Sequence, residues 1–339
     1  MISLLKPENN STVVLLKEKH INYINSPESF PTTKVDWLNL METQVDQSYP
    51  EPLCFAFLPK TDGEIVLTDS KGRERCYAAE EGEAKISNLL IDEEYSWFVR
   101  IGEERSETYR FRTDAQAPRM LFVDGISNVR DFGGFAAGEG KRIRQELVYR
   151  TSEMDTHVQI TEKGIDTLEN ELGIRADLDI RGIKDEPRCP VLNEEKVKWV
   201  NFPLAAYVDC FTEEQLKLYG ESYKLLLEKE NYPMIVHCWG GIDRTGTWLY
   251  ILGGMLGVSE DDLGLDYEMS SFSRWGRRSR VSDQFKEFLG GLYKYGDSLK
   301  EACEGFMRAC GLSDGDMDKI RELGPLPIHR RSFLKFLDK

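Results

Sequence analysis

Two regimes of apolar spacing divide the chain. In the first hundred or so residues, short runs rich in β-branched and aromatic side chains dominate: Leu53 to Leu58, Glu64 to Thr68, Tyr95 to Ile101 and Thr108 to Thr113. Turn signals such as Asp62-Gly63 and Ser70-Lys71-Gly72 separate them, so a small antiparallel β-sandwich is predicted over residues 1–115. The stretch Asp114 to Pro118 reads as a linker, and the spacing then changes to three and four. Thr161 can cap a helix carrying Ile165, Leu168 and Leu172, which Gly173 ends, and Ile174 to Ile180 reads as a strand. Lys198 to Leu204 is a second strand. Thr212 to Gln215 forms a capping box ahead of a helix with Leu216, Tyr219, Tyr223, Leu226 and Leu227 on one face. Met234 to Val236 is a buried strand, and Thr245 to Leu256 an apolar helix stopped by Gly257. Strands alternating with helices predict an α/β domain over residues 116–339, with a central, mostly parallel sheet flanked by helices. Ligands in such a layer sit beyond the carboxyl ends of the strands.

Ser259 to Asp262 and Ser313 to Asp316 mark two further helix starts, and Leu299, Cys303, Phe306 and Cys310 fall on one core-facing stripe. On that stripe the two cysteines read as packing. In the N-terminal region Leu4 to Ser11, Tyr95 to Gly102 and Tyr109 to Asp114 resemble a fibronectin type III module covering about residues 1–115. That resemblance implies a scaffold, or a spacer, docking or substrate-gating part, rather than a seat of chemistry.

Composition narrows the function. A net charge of -15 argues against a nucleic-acid binder or a polybasic membrane anchor. An anionic substrate must therefore be captured locally. No apolar run approaches the roughly 20 residues needed to cross a bilayer, and the N-terminus lacks a signal-peptide pattern, so a cytoplasmic chain is expected. The seven cysteines are scattered, without CxxC pairs, which points to reduced thiols and away from a disulfide framework or a zinc site.

The candidate chemistry lies in Val236-His237-Cys238-Trp239-Gly240-Gly241-Ile242-Asp243-Arg244-Thr245-Gly246-Thr247. A turn between a strand end and a helix start can aim successive amides inward as an anion nest, with the helix dipole behind them. Trp239, Gly240, Gly241, Ile242, Asp243 and Arg244 would form that phosphate-binding loop. Its glycines allow unusual dihedrals, and Arg244 offers a bidentate fork. The same field would lower the pKa of Cys238 from near 8.5 and make it a nucleophile at neutral pH. Thr245 could donate to the sulfur, and His237 could orient the loop from behind. No metal or cofactor is called for.

His237, Cys238, Arg244 and Thr245 match the His-Cys-x5-Arg-Ser/Thr signature, so the chain resembles the cysteine-dependent protein-tyrosine phosphatase superfamily. Asn128 to Gly134, Leu147 to Ser152 and Asp177 to Arg181 resemble segments of a bacterial branch of tyrosine and dual-specificity phosphatases, over about residues 120–270. The resemblance implies hydrolysis of a phosphorylated protein or small phosphomonoester through a cysteinyl-phosphate intermediate. It also implies Asp243 as the proton donor; the residues themselves read equally as an N-cap carboxylate there, and offer Asp209, on a loop that could close over substrate, and Asp179, on the preceding strand, as further candidate acids. Arg130 and Asp131 could touch the site or form a buried ion pair that braces it. Members of the branch often carry Lys where Ile242 stands, a Lys associated with phosphoinositide activity, so its loss makes lipid substrates less expected.

Three other readings compete: an inositol phosphate or phosphoinositide phosphatase, a non-catalytic phosphoprotein-binding module, and a rhodanese-type sulfurtransferase. The loop says little about what the phosphate is attached to. Trp239 and Tyr207 could wall a cleft or be packed inside, and Arg274, Arg277, Arg278 and Arg280 form the one local basic cluster, bordering the site or solvated.

Overall fold

The structure is a computed structural model that describes residues 1–25, 46–138, 140–182, 184–185, 188–323 and 325–327. It contains a β-rich N-terminal region and a mixed region of sheet and helices. In the first, β1 (Ser3–Lys6), β2 (Ser11–Val13), a short helix α1 (Glu18–Ile24), β3 (Leu53–Leu58), β4 (Gly63–Asp69), β5 (Glu74–Ala79), β6 (Glu83–Ile86), β7 (Glu94–Ile101), β8 (Glu104–Arg105) and β9 (Tyr109–Thr113) follow in order. One sheet runs β1-β3-β6 and the other β2-β9-β7-β4-β5, with β8 on β7. Their alternating apolar positions meet in a core of Phe55, Phe57, Ile65, Trp97, Val99 and Phe111. The helix α1 was not expected among strands: it buries His20 and Tyr23 away from this core, against Phe272.

The second region carries β10 (Arg119–Met120), β11 (Arg130–Asp131), β12 (Lys141–Ile143), β13 (Val148–Thr151), α2 (Glu162–Asp166), β14 (Ala176–Asp179), β15 (Lys198–Asn201), α3 (Glu213–Lys224), β16 (Met234–His237), α4 (Asp243–Leu256), α5 (Glu260–Met269), α6 (Asp283–Leu292), α7 (Leu299–Ala309) and α8 (Asp314–Leu323). Its sheet has the order β10-β11-β13-β16-β14-β15. The pairs β13–β16, β16–β14 and β14–β15 are parallel, and β10–β11 and β11–β13 antiparallel. Met234, Ile235 and Val236 are fully buried, as an unbroken apolar run requires of a strand covered on both faces. The helix α4 is buried on every side from Thr245 to Leu256, which fits its all-round apolar sequence, and Gly257 ends it in the left-handed conformation.

Local signals acted with some changes. Thr161 and Thr212 cap their helices, but Gln215 does not reciprocate. Its amide instead accepts from the Ala205 amide at 2.7 Å and donates to the Pro203 carbonyl at 3.2 Å. The helix after Thr161 turns into a π-helical stretch at Thr167–Glu171 before Gly173.

The two regions share one hydrophobic cluster, in which Ile91 and Ala117 join Phe132 and Phe135. Gln145 and Ile91 exchange two hydrogen bonds of 3.0 and 2.8 Å. Arg119, buried, donates to the carbonyls of Asn88 and Leu89 while pairing with Asp131 at 2.7 Å. Residues 46–48 reach the back of the second region, where the Asn128 amide donates to Ser48 Oγ at 2.8 Å. Among the described residues, no helix is long and apolar enough to cross a membrane, and no group of three or more His, Cys, Asp and Glu side chains could hold a metal ion.

Candidate active site

β16 ends at His237, α4 begins at Asp243, and the five residues between them form a loop at the carboxyl edge of the sheet. The loop is held from outside by its carbonyls. Trp239 O accepts from the Glu153 amide at 2.8 Å. Asn128 Nδ2 donates to Gly240 O and Gly241 O at 3.0 and 3.1 Å, and Arg150 Nη2 donates to Gly241 O at 2.5 Å. Among the described residues nothing accepts from the amides of residues 239–242. Four donors are thereby left for an anion. Gly241 makes the turn possible with φ +63°, and a Cβ on it would stand 2.1 Å from Thr151 O. Helix α4 has Ile242 at its N-cap without a side-chain bond, and Asp243 is the acidic residue of its first turn.

The bracing reaches deeper. Arg130 and Arg150, both fully buried, share Asp266: Arg130 Nε lies 2.9 Å from Oδ1, and Arg150 Nη1 bonds Oδ2. Arg130 also bonds the side chain of Asn128. Arg130 therefore acts on the loop through Asn128, and Asp131 faces Arg119 at the junction with the N-terminal region.

Cys238 is 3 % exposed and sits at the floor. Burial alone would raise its thiol pKa, but the charge of Arg244 together with the hydroxyl and amide of Thr245 brings it below the ordinary value. Among the described residues Thr245 Oγ1, buried, has no oxygen or nitrogen partner. Behind the loop, His237 Nε2 lies 3.1 Å from Asp177 Oδ1. Burial disfavours its charge, but Asp177 and then Asp179 overcome that and raise its pKa to about 9. His237 immediately precedes Cys238 in the chain.

The four acidic candidates occupy different settings. Asp243 is the first residue of α4 rather than its N-cap. Its carboxylate accepts two bonds from Arg278, of 2.7 and 2.9 Å, and one from Tyr207. Burial would raise its pKa, yet Arg278 holds it below the usual carboxylate range. Asp179 is fully buried and engaged by Arg181 Nε and Nη2 at 3.0 to 3.1 Å and 2.9 Å. Asp209 is exposed on the 3-10 turn Tyr207–Phe211. The fourth, Asp185, carried no sequence signal: it lies in a charged, aperiodic stretch 59 positions before its partner, Arg244, whose Nη1 bonds Asp185 Oδ2.

At the rim, Trp239 is 39 % exposed and its ring stacks at a tilt on His157, centroids 4.2 Å apart. Tyr207 is packed inside, with its hydroxyl 2.6 Å from that of Tyr267. Of the basic run, Arg278 reaches the loop, and Arg280 turns away to Glu268 and Asp261.

Residues 121–323, more than half of the chain, match the profile described as "Tyrosine phosphatase family". A protein of Cupriavidus necator, named as a tyrosine-protein phosphatase, is 26% identical over 179 residues, covering 45% of this chain and 63% of its own length. The chain thus spans less than two thirds of that relative. Among solved structures, the core catalytic domain of the PP-IP phosphatase SIW14 from S. cerevisiae, in complex with citrate, is 17% identical with a TM-score of 0.30, over 38% of this chain and 76% of that one. A second Siw14 catalytic core is 15% identical with a TM-score of 0.30, over 42% and 77%.

Proposed function

The chain belongs to the tyrosine phosphatase family, and on that premise we propose that it hydrolyses phosphate monoesters, phosphotyrosine foremost, through a cysteinyl-phosphate intermediate on Cys238. One observation carries the reading: a buried thiol of lowered pKa shares a loop with four unengaged amides, and Arg244 stands in the first turn of the helix that follows. A phosphate dianion seated on those amides has three oxygens to satisfy, and the guanidinium fork can take two of them. The sulfur beneath is then placed for in-line attack. Trp239 and His157 offer the leaving group a flat aromatic wall at the rim, which favours a phosphorylated phenol and supports a protein substrate. Phosphoserine and phosphothreonine would follow as secondary substrates if the cleft is shallow.

An inositol phosphate reading would need free cations around the loop. Ile242 supplies none, and Arg278 is already neutralised by Asp243. A phosphoprotein-binding module would have no use for a thiolate of lowered pKa. We read the N-terminal sheets, β1-β3-β6 and β2-β9-β7-β4-β5, as a fibronectin type III-like scaffold dividing from the phosphatase domain near residue 115, and the chain as cytoplasmic. The test is Cys238→Ser on p-nitrophenyl phosphate and phosphotyrosine peptides. Turnover should vanish while inorganic phosphate still binds. Wild-type activity in that variant would end the proposal.

A further inference from the structure

The reaction proposed above leaves one chemical role open, the donor of a proton to the leaving oxygen, and one carboxylate, Asp185, is paired with the arginine proposed to hold the phosphate. We propose that Asp185 is a catalytic residue, the general acid of the first step and the general base of the second. This rests on the reading of Cys238 and Arg244 as phosphatase residues.

Position is the first argument. Arg244 must grip the substrate phosphate, and the one partner its guanidinium has among the described residues is Asp185. Residue Cys238 is 3 % exposed, whereas the side chains of Arg244 and Asp185 are 20% and 23% exposed. Asp185 is thus the more open of the two groups that Arg244 influences, and on the proposed reading the thiol lies deeper than the carboxylate. In-line attack from the deeper thiol would expel the leaving oxygen toward the more open side. A turn fixes the carboxylate: the Gly182 amide donates to Asp185 Oδ2 at 2.8 Å and the Asp185 amide to Gly182 O at 3.0 Å.

The second argument is what substrate binding does to each carboxylate. Asp243 is held by Arg278 and Tyr207, groups outside the phosphate's own donors, so an incoming phosphate leaves that ion pair intact. Asp179 is locked by Arg181 and fully buried. Asp185 alone is held by the guanidinium the substrate claims. In the free protein burial would raise its pKa, but Arg244 keeps it low, with a smaller contribution from Arg181. Arg181 is otherwise engaged by Asp179, Asp155 and Glu153. When the phosphate takes Arg244, Asp185 loses its counter-ion and faces a dianion, which drives it to take up a proton.

The steps then balance. The Cys238 thiolate forms a bond to phosphorus, the ester P–O bond breaks with its electron pair going to the leaving oxygen, and that oxygen takes the Asp185 proton. Water, passing its proton back to Asp185, next attacks the cysteinyl phosphate and returns the thiolate with inorganic phosphate.

The experiment is kcat/KM, which reports the first step alone, for wild type, Asp185→Asn and Asp185→Glu over aryl phosphates whose phenols range from good to poor leaving groups, with inorganic phosphate inhibition measured beside them. A general acid contributes about 10²- to 10⁴-fold. Asp185→Asn should lose that factor on phenyl phosphate and little on dinitrophenyl phosphate, with phosphate inhibition held; Asp185→Glu should recover part of the loss. A loss equal across all leaving groups and accompanied by weaker phosphate inhibition would overturn the proposal and leave Asp185 a positioning residue for Arg244, as would no loss at all. If Asp185→Asn does not fold, the Asp185→Glu series decides the same way, with a changed or unchanged dependence on the leaving group. Failure of wild type itself to cleave any aryl phosphate would instead refute the underlying phosphatase reading.

Discussion

Arg278 closes a fork on Asp243, Nε 2.7 Å from Oδ1 and Nη2 2.9 Å from Oδ2, and so ties the loop of residues 274–280 to the start of α4. Asp243 also acts on Cys238, raising its pKa, and by pairing with Asp243 Arg278 is expected to counter that charge. Arg278→Ala should therefore shift the acid limb of kcat/KM to higher pH and lower activity at pH 6 roughly tenfold, the factor of one pKa unit. Iodoacetamide inactivation against pH checks it, since alkylation follows the thiolate fraction. An unmoved profile would assign the pair a purely structural role.

Arg244→Lys tests the fork itself. A lysine keeps the charge but offers a point donor in place of two parallel bonds. Losing one such donor to a developing oxyanion costs about 10²- to 10³-fold in kcat. Inhibition by inorganic phosphate should weaken as well, because the same fork holds the ground-state anion.

The loop and its flanks were legible because their physics is local: an apolar strand, two glycines and a helix start lie in one stretch, and Cys238 and Arg244 need only that stretch to meet. Arg278 was visible as part of a basic run, but whether it faced solvent or Asp243 depended on packing 35 positions away. Asp185 was invisible for the same reason, with no periodicity around it to fix a side. In the N-terminal region, α1 escaped notice because its seven residues are short of the length over which a helical stripe stands out. The continuous core between the regions is likewise a long-range property, carried by Ile91, Ala117, Phe132 and Phe135.

Gly241→Ala should disable the loop through sterics. Its φ of +63° is costly for alanine, and the added Cβ would meet the Thr151 carbonyl oxygen at 2.1 Å. Either the strand end or the loop must move. A destabilisation of about 2–4 kcal/mol in urea titrations is expected, with loss of phosphate binding.

Asn128→Ala leaves Gly240 O without its bond and Gly241 O with Arg150 alone. Losing the bond at the partly buried Gly240 carbonyl costs about 1 kcal/mol. Relaxation of the loop should raise KM more than it lowers kcat, since the amides would still reach a bound phosphate at the cost of reordering. Steady-state kinetics separates the two.

His237 gives stability a pH dependence with a definite sign. Its pKa rises from 6.5 to about 9 on folding, through the Asp177 carboxylate against the opposing effect of burial. The folded state therefore holds a proton the unfolded chain releases, and the contribution is complete below pH 6.5 and declines as pH climbs toward 9. A shift of that size bounds it at about 3 kcal/mol. Cys238 works the other way, since its lowered pKa adds stability as pH rises, so the measurement belongs in a Cys238→Ser background. Buried Cys210, Cys303 and Cys310, whose thiols burial pushes up, favour the unfolded chain only near and above pH 8.5. His20 acts on the acid side, because burial lowers it to about 4 and its cost appears below pH 6.5. Between pH 6.5 and 8 the slope thus isolates His237. Urea unfolding should show stability falling over that interval in Cys238→Ser and a flat line when Asp177→Asn is added; equal slopes in the two proteins would mean that Asp177 does not hold the charge on His237.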